Sequence, residues 1–131
     1  MTERGEREMV KVTSIEELDV FKKAHAMTLR IYRTSERFPA EERFGLIAQI
    51  RRAAASIAAN LMEGGHRLGT AEYRQFVGIA RGSAGELKYH LLLSRDLGYL
   101  STEDHAELRG NVDQIIMMLS GLVRSLSKVK H

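Results

Sequence analysis

Cysteine and tryptophan are absent from the 131 residues, and proline occurs once. Without a thiol there is no disulfide framework, no thiolate zinc site and no cysteine nucleophile, a composition that fits a reducing compartment. Long apolar runs are missing too. Nothing approaches the roughly 18 uninterrupted apolar residues of a membrane span, and Met1 to Lys11 alternates Glu and Arg where a secretory signal would carry an apolar stretch. A cytoplasmic protein with no membrane partner is therefore expected. An excess of one charge sign is also lacking. Twenty basic and 17 acidic residues leave a net charge of +3, too little by itself to imply a polyanionic partner, so the placement of the charges decides.

What is present favours helix. A chain of this length fits one domain of about 100 to 200 residues with a single core and no second lobe. Abundant Ala and Leu with few β-branched runs predict an all-α fold. Helical periodicity runs from about Leu18 to Arg37, Glu41 to Glu63, Thr70 to Leu97 and Thr102 to Lys128, which predicts four helices with short connections. Phe38-Pro39 should break the first helix, with Pro39 an early residue of the second. Gly64-Gly65 should stop the second, Thr70 should cap the third, Gly98 should end it, and Ser101 or Thr102 should cap the fourth. The expected division is a flexible segment over 1–17, a helical domain over 18–128 and a short tail over 129–131. There is no internal repeat.

Charge is arranged in columns. On a wheel of about 100° per residue, the first helix gathers Phe21, Ala24, Met27, Ile31 and Tyr32 on one side. Lys22, Lys23, Arg30, Arg33 and Arg37 lie on the other, opposed between residues 20 and 38 only by Glu36. A solvated face and a polyanion-facing stripe both account for this. In the third helix Arg74, Arg81, Lys88 and Arg95 recur every seven residues, forming a column about 30 Å long beside a core arc of Tyr73, Phe76, Ala80, Ala84, Leu87 and Leu91. Pairing with carboxylates of a neighbouring helix is the structural explanation, and phosphate contact the functional one.

The second helix is apolar around much of its circumference. Leu46, Ile47, Ile50, Ala54, Ile57 and Leu61 make a core stripe, and Ala48, Ala55 and Ala59 make a second, small-residue side. A helix in a lone bundle needs one apolar face, so the alanine side predicts close approach of another helix, from the bundle or from another subunit. Met117 and Met118, which point largely away from the stripe of Leu108, Val112, Ile115, Leu119, Leu122 and Leu126 in the fourth helix, add mild support for an interface.

Catalytic signatures are missing. No phosphate-binding glycine loop, dinucleotide fingerprint or nucleophile elbow occurs, and His25, His66, His90 and His105 never pair at i,i+3 or i,i+4 as metal ligands would. No catalytic residue, metal ligand or cofactor is predicted. The main polar cluster is Gln49, Arg52, Ser56, Asn60 and Glu63 on the second helix with Ser83 and Glu86 on the third, where Arg51 or Arg52 facing Glu86 would form an interhelical ion pair. A general-acid role for Glu63 or Glu86 would need a pocket and a second group that the sequence does not supply.

These residues carry a resemblance. The run from Phe38 to Leu46, then Gln49-Ile50-Arg51-Arg52-Ala53-Ala54, Ser56-Ile57 and Asn60-Leu61-Met62-Glu63-Gly64, resembles the four-helix-bundle proteins encoded in intervening sequences of bacterial 23S rRNA genes. Tyr73-x-x-Phe76, Ile79 to Leu87 and Leu97-Gly98-Tyr99-Leu100 extend the likeness, which covers about residues 18 to 126. Leu61-Met62 departs from the Ile-Ala pair more usual before Glu-Gly. The resemblance implies a cytoplasmic, antiparallel up-down four-helix bundle assembled as a homopentamer, without assigned enzymatic activity. It also implies kinship with accessory proteins of diversity-generating retroelements, which associate with nucleic acid and a reverse transcriptase.

Together the residues and the resemblance predict a non-enzymatic homo-oligomer that associates with RNA or DNA through its basic faces. Few aromatics are available for base stacking, so sequence specificity should be poor. The alternative is a protein-interaction scaffold whose partner is a polymerase or another protein, without nucleic-acid binding.

Overall fold

The computed structural model describes residues 15–128, so the expectations for residues 1–14 and 129–131 lie outside the described residues. Four α-helices follow one another: α1 (Asp19–Ser35), α2 (Leu46–Gly65), α3 (Thr70–Asp96) and α4 (Thr102–Ser127). Short 3-10 turns at Ile15–Glu17 and Ala40–Glu42 complete the described chain, which contains no strand. Connections of four residues between α2 and α3 and five between α3 and α4 leave room only for antiparallel neighbours. The helices pack in a cycle in which α3 lies most extensively against α2 and α4, and α1 meets α4 least. No described helix is long and apolar enough to cross a membrane.

The core forms where the apolar stripes converge. Ala24, Met27 and Ile31 of α1 meet Ile50, Ala53, Ala54, Ile57 and Leu61 of α2; Val77, Ala80, Ala84, Leu87 and Leu91 of α3; and Leu108, Val112, Ile115 and Leu119 of α4. Each fully buried Leu or Ile contributes about 1.5–3 kcal/mol of hydrophobic stabilisation. Tyr32 departs from its predicted place. It is exposed, its ring lies beneath the Arg51 guanidinium at 4.6 Å, and Arg51 also donates to the Tyr32 carbonyl and Ser35 Oγ. Phe76 is half-buried under Arg67 at 4.8 Å, while Val77 takes the fully buried position.

Three boundaries differ from expectation, each for a local reason. The second α-helix starts at Leu46 instead of Glu41, because the chain first makes the Ala40–Glu42 turn and then bends at Gly45. The Glu42 carboxylate spans this break, accepting the Leu46 N–H and the Tyr99 hydroxyl, so it ties the first connection to the third. Thr70 is the first helical residue of α3, preceded by Gly69, and provides no side-chain cap. Arg37 lies past the end of α1, where the Arg37 and Phe38 N–H groups donate to the carbonyls of Thr34 and Ser35.

Other local signals act as predicted. Gly98 has φ of +83°, and the N–H groups of Gly98 and Tyr99 return to the carbonyls of Arg95 and Ser94, a left-handed helix stop that favours glycine. Ser101 Oγ accepts the Asp104 N–H at 3.0 Å and caps α4. Gly64 and Gly65, expected to stop the second helix after Glu63, instead form its last two residues and are buried. A Cβ on Gly64 would stand 2.7 Å from Phe76 Cβ, so its lack of a side chain lets α2 and α3 approach. A Cβ on Gly65 would overlap Ile15, which is 2% exposed and packs here although the sequence places it ahead of the helical domain.

Candidate nucleic-acid interface

The nine predicted phosphate contacts separate into three groups. Four already have a carboxylate: Lys22 meets Glu17 at 3.8 Å, Arg30 meets Glu107 at 2.9 Å, Lys88 meets Asp113 at 2.7 Å and Arg95 meets Asp96 at 3.0 Å. Two instead donate to hydroxyls of α4, Arg74 to Ser127 at 2.6 Å and Arg81 to Ser120 at 3.3 Å. Lys23, Arg33 and Arg37 form no ion pair among the described residues.

The α3 column is thus largely an internal seam. Arg74, Arg81 and Lys88 descend α3 by sevens and meet Ser127, Ser120 and Asp113, which descend α4 by sevens in the opposite direction. This is the pairing an antiparallel heptad register imposes. The next α4 position in that series is Ala106, which offers no side-chain acceptor, and Arg95 pairs with adjacent Asp96. Arg67, the loop residue that extends the column, is held by Glu63 at 2.8 Å and lies 3.9 Å from Glu72.

The stripe on α1 borders open space. Where α1 diverges from α4, a groove of about 310 Å³ is lined by Lys23, Ala26, Met27, Arg30 and Arg33 on one side and Asn111, Gln114 and Ile115 on the other. Met27 and Ile115 are core residues, 3% and 1% exposed, and form its floor. The Asn111 and Gln114 amides make no hydrogen bond within the described chain. Arg30 is turned toward Glu107, whose carboxyl is held below its ordinary pKa by that hydrogen bond and by the charge of Arg30. Positive potential in the groove therefore comes mainly from Lys23 and Arg33. Arg37, in the turn past the end of α1, is not part of the groove lining.

The polar cluster between α2 and α3 assembles almost as expected. Glu86 receives Arg52, which also donates to Gln49, and His90 joins the same carboxylate at 3.1 Å. Glu86 is held below the usual Glu range, first by its hydrogen bond with His90, which burial opposes, and further by the hydrogen bond and charge of Arg52. Ser56 and Ser83 share a 2.8 Å hydrogen bond, and Asn60 donates to Ser56. Arg51 turns the other way, to α1. Glu63 stands apart with Arg67. His90 is the member sequence reasoning omitted, although its position four residues after Glu86 was an available signal.

The predicted interface residues remain largely uncovered in the single chain. Ala48, Ala59 and Met117 are exposed and Ala55 is half-buried, whereas Met118 packs against the core. More aromatic surface is available than expected, with Phe44 at 89% exposure beside the Arg43 guanidinium and Tyr89 at 58%. Among the described residues no group of His, Asp and Glu is placed to hold a metal ion.

The described residues form an all-α bundle with a basic groove between α1 and α4 and an α3 column bonded to α4. Residues 16–121 match the 23S rRNA-intervening sequence protein family, and the chain belongs to that family. A crystal structure of a protein with unknown function from the S23 ribosomal protein family of Bacteroides thetaiotaomicron is 24% identical. Its TM-score is 0.73, and the match covers 80% of this chain and 98% of that one. This likeness shows the fold. No curated protein matches the chain.

Proposed function

We infer that the protein is a non-enzymatic, cytoplasmic homo-oligomer that associates with RNA or DNA by nonspecific phosphate contacts. The observation that carries this reading is the pair Lys23 and Arg33, which have no ion pair among the described residues and line the α1 side of an open groove; Arg37, just past the end of α1, also has none. Releasing counterions from about three phosphates per subunit makes binding steeply salt-dependent, and linked subunits add avidity. The resemblance read from the sequence implies self-association as a pentamer, and exposed Ala48, Ala59 and Met117, with half-buried Ala55, offer surface for it, whereas Met118 packs against the core. A role beside a reverse transcriptase belongs to the same reading.

Charge reversal tests it. Lys23→Glu with Arg33→Glu should reduce affinity for a structured RNA by at least tenfold at 100 mM salt, while Arg74→Ala with Arg81→Ala should change it by less than about twofold. Equal losses in the two pairs would contradict the assignment to α1.

The second reading is a protein scaffold without nucleic-acid binding. It is favoured by a separate apolar hollow of about 460 Å³ where Phe21, His25 and Leu29 of α1 meet Met62 of α2. Recovery of one protein partner after nuclease treatment, lost on Leu29→Glu, would support it.

A further inference from the structure

The groove between α1 and α4 offers more than a positive border. Its volume of about 310 Å³ falls at the small end of ligand pockets, roughly 300–1,000 Å³, and its floor is apolar. Lys23 and Arg33 lie ten residues apart on α1, a rise of about 15 Å, so they bracket the hollow along its length. Facing them from α4, Asn111 and Gln114 are three residues apart on one side of their helix and keep their amides free of internal hydrogen bonds among the described residues. A bare phosphate surface needs no apolar floor and no pair of amides. A nucleotide turned out of a stack uses all three: cations for the phosphates on either side, aliphatic surface for the face of the base, and amide donors and acceptors for its edge.

We propose that this groove holds one unpaired nucleotide, with Lys23 and Arg33 on its flanking phosphates, Met27 and Ile115 beneath the base, and Asn111 and Gln114 hydrogen-bonded to the base edge. The proposal rests on the nucleic-acid reading above and adds a selectivity for unpaired over paired strands. A base in a duplex has its face covered by its neighbours and its pairing edge occupied, and cannot enter. Arg30, which also lines the groove, is already bonded to Glu107 of α4, so the flanking phosphates are assigned to Lys23 and Arg33.

Fluorescence anisotropy with the full chain tests this, using a 24-nucleotide single strand and a blunt 12-base-pair duplex with the same number of nucleotides, both at 100 mM salt. The parent should bind the single strand at least fivefold more tightly. Asn111→Leu with Gln114→Leu should lower single-strand affinity five- to tenfold while leaving duplex affinity and the salt dependence unchanged. Both positions are exposed, so thermal melting should show the variant folded. A second variant, Ala26→Phe, fills the mouth of the groove from an exposed helical position and should reproduce the loss without altering any polar group. Equal binding of both probes by the parent, with neither variant changing single-strand affinity, would overturn the nucleotide site and leave general phosphate binding intact. No binding of either probe by the parent would overturn both.

Discussion

Gly64 and Gly82 show how one residue type serves opposite ends. At Gly64 a methyl group would press on Phe76 Cβ, which is fixed to the α3 backbone and cannot swing aside. Gly64→Ala should therefore destabilise the fold by about 1–3 kcal/mol through overpacking, despite alanine's better helix propensity. At Gly82, apart from its own stretch of helix, no described residue lies within 4 Å of the added Cβ. Gly82→Ala should stabilise the fold by about 0.5–1 kcal/mol. Urea unfolding of the two variants gives both signs in one experiment, and two shifts of the same sign would contradict the packing described. His105 supplies a pH dependence. It is 3% exposed, its Nε2 has no hydrogen-bond partner in the described chain, and burial, reinforced by Arg95 and Arg109, pushes its pKa down. The unfolded chain then binds a proton near pH 6.5 that the folded chain resists, so stability falls as the pH drops below about 6.5. His105→Leu should lose less stability than the parent between pH 7 and pH 5. An identical loss would mean that other groups set the acid response.

The helices themselves were largely legible, since apolar residues at helical spacing and the stops at Gly98 and Ser101 act locally. Other features depend on partners far along the chain. Tyr32 leaves the predicted core because Arg51, from α2, offers its ring a cation, and Ile15 joins the core because Gly65 leaves a space 50 residues away. The start of α2 was hidden because Glu42 serves as a bridge to Tyr99 instead of a first-turn carboxylate. The polar cluster was readable from the polar columns of α2 and α3, except that Glu63 turns to Arg67. The α3 column was visible as a period of seven, and its meaning was not, because Ser127, Ser120 and Asp113 come into register only when α4 folds back. These contacts are exposed, so Asp113→Asn should cost less than about 1 kcal/mol in thermal melting. A larger loss would make the seam a principal support of the bundle. The groove lay beyond sequence reading altogether, since Asn111 and Gln114 come to line it only when α4 folds beside α1.

For the whole molecule, assembly and polyanion binding are separable. Ala55 is half-buried on the outer side of α2, so Ala55→Glu should dissociate the assembly if that side is the subunit contact, because an unpaired carboxylate buried there is strongly unfavourable. Sedimentation of the parent near the 14.8 kDa of one chain at micromolar concentration would refute self-association. The proposed association with nucleic acid rests instead on a few cations that the fold leaves without carboxylates among the described residues. The most direct measurement is the affinity for a structured RNA at 50 and 200 mM salt. With about three phosphates neutralised per subunit, affinity should fall roughly 15- to 60-fold over that range and more if several subunits engage one strand. No binding at micromolar oligomer, or binding indifferent to salt, would contradict the account.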